Sequence, residues 1–128
     1  MMTYRTRGMV EAEFTREVVK FEKEHLGRGP VDAHTYFLND MVLVRLHGIL
    51  TPAEQKLVEN LAGRDLVKEM RHRLFESSRP LLEYIVRNVL GCGLVSLYTD
   101  MSTKLNERIV VLVVDANLDE KFPQKEKR

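Results

Sequence analysis

The chain has 128 residues, 44% hydrophobic and 30% charged, with 20 Lys and Arg against 19 Asp and Glu for a net charge of +1. This is enough chain for one folded domain and too little for two; the composition excludes a disordered polymer, and the near-zero charge argues against nucleic acid as a partner held by bulk electrostatics. The longest apolar run, Ile109 to Val114, falls far short of the ~20 residues of a membrane-spanning helix, and the opening MMTYRTRGMVEAEF lacks a signal-peptide core, so a cytoplasmic location is expected.

In chain order, Val10, Phe14, Val18 and Phe21 recur at steps of four, four and three, which predicts a helix over Gly8 to Leu26 with one apolar face. Glu22 and its charged neighbours are assigned to the solvated side. Gly27 is suited to follow the helix end, and Pro30 cannot continue it. The period then changes to two. Val31 to Leu38 and Met41 to Leu46 form a predicted hairpin across Asn39-Asp40, residues that tolerate positive φ. Thr51-Pro52-Ala53-Glu54 is a capping box with proline at the first helical position, and it predicts a short helix from Pro52 to about Leu61.

Ala62-Gly63 is read as a weak point before a long helix from Arg64 to Leu90. Its expected buried stripe is Leu66, Met70, Leu74, Leu81 and Ile85, with a kink at Pro80. Beyond Gly91-Cys92-Gly93, Leu94 to Thr99 and Arg108 to Asp115 form a second predicted hairpin, with Met101 to Glu107 in its loop. Ile109 to Val114 does not alternate, as expected of a strand covered on both faces, by the long helix or by a second subunit. The last ten residues, DEKFPQKEKR, read as a disordered charged tail (119–128) after a single domain at 1–118. Strands and helices come in blocks, so the expected class is α+β. Its architecture is a four-stranded antiparallel sheet of two β-hairpins, with an N-terminal helix and a central short-plus-long helix pair packed on it.

Chemistry-bearing residues are sparse. His25, His34, His47 and His72 fall on four different elements without metal-ligand spacing, so no metal and no cofactor is expected. Cys92 stands alone, which rules out an intrachain disulfide. Asp100, Glu107 and Asp115 lie at strand ends, where turn-capping carboxylates are common. No nucleophile–base pairing can be written, so no enzyme is expected.

The richest pattern lies on the long helix. At 100° per residue, Arg64, Lys68, Arg71, His72 and Arg79 share one arc with Phe75. Such an arc is compatible with a solvated face or a dimer salt-bridge lattice, the pairs Glu69–Arg73 and Glu83–Arg87 partly neutralising it. The less favoured alternative is an anion or partner site made of Arg28, Arg64, Lys68, Arg71, Phe75 and Arg79. On the sensor version of that reading, Arg71→Ala abolishes anion or nucleotide binding while the fold survives.

Four segments, in order, resemble a small bacterial family: Gly27-Arg28-Gly29-Pro30, LHGILTPAEQKLV (46–58), GRDLVKEMRHRLFESSRP (63–80) and LVSLYTDMSTKLNERIVVLVVD (94–115). The chain is similar to the MpsC-like family, the C component of a sodium-translocating, membrane-potential-generating system. The resemblance implies an accessory protein linked to membrane sodium transport or inorganic-carbon uptake. The expected protein is therefore a non-enzymatic accessory domain, a homodimer, with a membrane transport protein as its further partner. A small-anion sensor and a nucleic-acid-binding regulator are the rival readings.

Overall fold

The structure is a computed structural model, and it describes residues 5–124. The element order is α1 (Arg7–His25), β1 (Asp32–Leu38), β2 (Met41–His47), α2 (Pro52–Leu57), α3 (Leu61–Ser77), α4 (Arg79–Leu90), β3 (Leu94–Ser102), β4 (Glu107–Val114) and the short α5 (Leu118–Lys121). The strands form one antiparallel sheet in the order β1-β2-β4-β3. Both predicted hairpins are therefore present and lie side by side, joined through β2 and β4. The expected α+β class holds.

Local chemistry explains the boundaries. Asn39 turns the first hairpin at φ 58°, as the Asn-Asp pair predicts. The second hairpin is tighter than its sequence suggests, because β3 runs to Ser102 and β4 starts at Glu107. Asn106, at φ 52°, closes that turn, and its side-chain Oδ1 accepts from the amides of Ile49 and Leu50 at 2.9 Å each. This ties the β3–β4 turn to the exit from β2. The capping box of α2 is complete: Thr51 Oγ1 accepts from the Glu54 amide, and Glu54 Oε1 accepts from the Thr51 amide.

The core lies on one face of the sheet. Phe37, Val42, Val44, Leu46, Val110 and Leu112 point to that face, where Val10, Phe14, Val18 and Phe21 of α1 and Leu82, Ile85, Val86 and Val89 of α4 meet them. α1 also protects the outer edge of β1. Glu11 Oε2 accepts from the Phe37 amide at 3.0 Å, and Arg7 donates to the Phe37 carbonyl. These contacts satisfy the outward amide and carbonyl of Phe37 on the edge strand.

Several expectations are corrected. The long helix is two helices that break at Ser78, so the Pro80 region is a helix start and not a kink. The earlier break falls before Leu61, where Asn60 caps α3 through its side chain. Gly63 lies inside α3 because α3 crosses the end of α2 closely: a Cβ there would sit 1.7 Å from the Leu57 carbonyl oxygen. The expected buried stripe is also wrong. Leu66, Met70, Leu74 and Leu81 are exposed, and of that stripe only Ile85 is buried. The face of α3 turned inward carries Gly63, Val67, Arg71 and Phe75 instead. Residues 119–122 do not begin a structureless tail, since α5 covers Leu118–Lys121 and Phe122 packs on Phe37 with ring centroids 5.7 Å apart. Residues 125–128 of that tail lie outside the described residues. Finally, among the described residues no helix covers the second face of the sheet: β4 alternates between buried and half-buried positions, and Tyr36, Leu43 and Tyr98 are exposed beside it.

Candidate functional site

The most concentrated chemistry is a buried ionic cluster between α1, α2, α3 and β4. Arg71 is wholly enclosed. Its Nε and Nη2 donate to the two carboxylate oxygens of Glu54 at 2.8 and 2.6 Å, and Nη2 also reaches the Ile49 carbonyl at 2.8 Å. Two parallel charge-assisted bonds of this kind are the strongest side-chain pairing available to arginine. Glu54 thus caps α2 and locks α3 with one carboxylate. Burial would raise its pKa, but the hydrogen bonds from Arg71 and Thr51 outweigh that effect and hold the group below the ordinary carboxylate range.

The second pair is built differently. Arg108, on the core face of β4, and Glu22, on the inner side of α1, are both almost completely buried. Arg108 Nε lies 3.7 Å from Glu22 Oε1, too far for a hydrogen bond, and neither Glu22 oxygen has a hydrogen-bond partner. The guanidinium is instead held by Thr99 Oγ1 at 3.0 Å and by the Phe75 ring, 4.9 Å from its centroid. Burial pushes the Glu22 carboxyl up, with the nearby guanidinium of Arg108 opposing it, and burial lowers the pKa of Arg108.

The residues of the predicted site are distributed as follows. Arg71 and Phe75 are core residues, so no exposed arc contains them. Arg28 is exposed in the loop after α1. Arg64 is exposed and donates to the Val58 carbonyl at 3.0 Å. Arg79 pairs with Glu83 at 3.2 Å, which replaces the expected Glu83–Arg87 pair, while Glu69–Arg73 forms as expected at 2.8 Å. Lys68 borders a cleft of about 260 Å³ lined also by His72, Thr99, Asp100 and Arg108. Arg108 is the residue that sequence reasoning missed there. It sits in an apolar strand, which was itself the available signal, because a lone arginine in such a strand must find a buried partner.

The remaining candidates do not converge. Asp115 accepts from the Gly93 amide at 2.7 Å, Asp100 from the Met101 amide at 2.8 Å, and Glu107 pairs with Arg45. Cys92 is buried, which raises its thiol pKa. His34 and His47 do share a shallow groove on the open sheet face with Asp32, Tyr36 and Arg45, yet among the described residues no group of His, Cys, Asp or Glu is arranged to hold a metal ion. Among those residues, too, no helix is long and apolar enough to cross a membrane.

An antiparallel sheet with helices on one face, braced by an internal ionic cluster, defines a small α+β domain. Residues 6–116 match the family described as "Na+-translocating membrane potential-generating system (MpsC)", and the chain belongs to that family. It is 35% identical over 115 residues to "Uncharacterized protein YbcI" of Bacillus subtilis (strain 168), covering 90% of this chain and 93% of that protein. It is also 32% identical over 110 residues to "Uncharacterized protein YrhF" of the same organism, covering 84% of this chain and 89% of the relative. No solved structure matches it.

Proposed function

We propose that the chain is a non-enzymatic accessory component of a membrane ion-transport system, sodium or inorganic carbon being the transported species, and that it works as a cytoplasmic homodimer contacting a membrane transport protein. The family description supports the link to a membrane potential. The single observation that carries the reading is the row on α3 where Leu66, Met70 and Leu74 stand exposed at successive turns. A row of this kind on a small domain is expected at a protein contact. The arginines counted as ligand groups in the sequence are largely engaged within the chain, which favours docking over small-molecule binding.

Deletion of the gene is expected to lower the membrane potential read with a potential-sensitive dye. The wild-type chain should restore it, and a folded Leu66→Glu/Leu74→Glu chain should not. Full restoration by that variant would reject α3 as the docking face, and an unchanged potential after deletion would reject the accessory role.

A small-anion sensor is the second reading, favoured by one feature: Lys68 and the buried Arg108 guanidinium border the same cleft. Titration with inorganic phosphate should then give saturable heat that Lys68→Ala abolishes. Asp100 and Glu69 line that cleft as well, and absence of heat at millimolar phosphate removes this reading.

A further inference from the structure

The open face of the sheet carries its own pattern. Register aligns four rows across β1, β2, β4 and β3: Leu38-Met41-Val113-Ser96, Tyr36-Leu43-Val111-Tyr98, His34-Arg45-Ile109-Asp100 and Asp32-His47-Glu107-Ser102. The first two rows are apolar and the last two polar. Within the polar rows, Asp32, His34, Arg45 and His47 stand on β1 and β2, and Asp100 and Glu107 stand on β3 and β4; within the subunit Asp32 pairs with His34 and Glu107 with Arg45. Ile109, Val111 and Val113 of β4 also point to this face and are only half-buried by their neighbours, which gives the unalternating strand an unmet demand for cover.

We infer that this face is the homodimer interface, with two sheets stacked about a two-fold axis that runs parallel to the strands. The inference rests on the proposed homodimer and specifies where it forms. Isologous contacts must be self-complementary, and the alternatives can be compared by the rows. An axis across the strands would place apolar rows on polar ones. An axis along them keeps each row on itself and reverses only the strand order. Tyr36 then faces the partner subunit's Tyr98, and Leu43 faces the partner subunit's Val111. In the polar half, His34 meets the partner subunit's Asp100 and His47 the partner subunit's Glu107, while Arg45 meets the partner subunit's Ile109 and Asp32 the partner subunit's Ser102, so polar rows cover polar rows as apolar rows cover apolar ones. Aligned sheet packing of this kind, about 10 Å apart, is the geometry of a β-sandwich.

Size is consistent with a reversible dimer. Four strands about 4.8 Å apart and seven paired residues rising about 3.4 Å each give a flat footprint of roughly 450 Å² per subunit. The total of about 900 Å² lies below that of stable specific interfaces and is the size of a weak, transient association.

Sedimentation equilibrium of the full chain tests this, with Leu43→Arg against Leu66→Glu/Leu74→Glu, each checked by circular dichroism for a native fold. Leu43 is 36% exposed, so arginine fits the monomer and places an unpaired charge only in the stacked interface. The expected result is a dimer for the wild type and the α3 variant, and a dissociation constant raised at least about a hundredfold by Leu43→Arg. A dimer that survives Leu43→Arg, whether or not the α3 variant breaks it, overturns the sheet interface while leaving the homodimer standing. A wild type that stays monomeric at 200 µM overturns both.

Discussion

Arg71→Ala is expected to destabilise the fold by about 3–5 kcal/mol, read as a lowered urea midpoint with an unchanged slope. The change deletes a wholly buried guanidinium and strands its partners. Glu54 Oε2 loses its Nε donor, Oε1 keeps only the Thr51 amide, and the Ile49 carbonyl is left without its Nη2 donor. A carboxylate enclosed with two of its three hydrogen bonds missing is more costly than the original pair was favourable. Since a domain of this kind has only about 5–15 kcal/mol of stability, the variant approaches unfolding at working temperature. Arg71→Lys should recover only part of the loss, because an ammonium cannot span both carboxylate oxygens. Arg64→Ala, an exposed change on the same helix, should stay within about 0.5 kcal/mol. A native-like midpoint for Arg71→Ala would mean that the cluster does not hold α3 to α2. The expected result also overturns the expectation from the sequence that Arg71→Ala tests ligand binding on an intact fold. Lys68→Ala, which touches the cleft from outside the core, is the variant suited to that purpose.

Where the sequence was legible, a local rule and the tertiary environment agreed. Thr51, Pro52 and Glu54 carry their helix start in four consecutive residues, and Asn39 carries a turn whose flanking strands alternate. α1 buries the four apolar residues that its period selects. Reasoning failed on α3 because it ranks faces by hydrophobicity, and this helix turns Arg71 inward while leaving Leu66, Met70 and Leu74 outside. The inversion is affordable only because Glu54 waits on another element, a long-range fact that no window around Arg71 contains. Glu22 was hidden for the same reason: one charge among many on α1, distinguished only by the strand that crosses it. The missing cover on β4 was the opposite case. The unalternating run leads to the expectation of cover on both faces, yet no helix among the described residues supplies it, and Ile109, Val111 and Val113 are left half-buried on the open face.

Glu22 and Arg108 should behave unlike Arg71 and Glu54, and the contrast is the more demanding prediction. Removing either member alone, as in Glu22→Met or Arg108→Met, leaves the other charge buried and should cost about 3–5 kcal/mol. Replacing both with methionine, which fills the space without charge, should be neutral or stabilising by about 1–4 kcal/mol. The reason is geometric: at 3.7 Å the two groups attract without a hydrogen bond, and both Glu22 oxygens and Arg108 Nε are unsatisfied, so the attraction does not offset the desolvation of two ions. The pH dependence follows with opposite signs for the two carboxylates. Glu22 is raised above 4.5, so the folded chain holds its proton more tightly than the unfolded one; its contribution is complete below 4.5 and is lost as pH rises through the raised value. Glu54 is lowered, so its contribution is present above 4.5 and is lost as pH falls through the lowered value. Urea midpoints across a pH series should therefore show Glu22→Gln removing the decline on the alkaline side of 4.5 and Glu54→Gln removing the decline on its acid side. If the double methionine variant is instead less stable than the wild type, the pair is net stabilising as it stands.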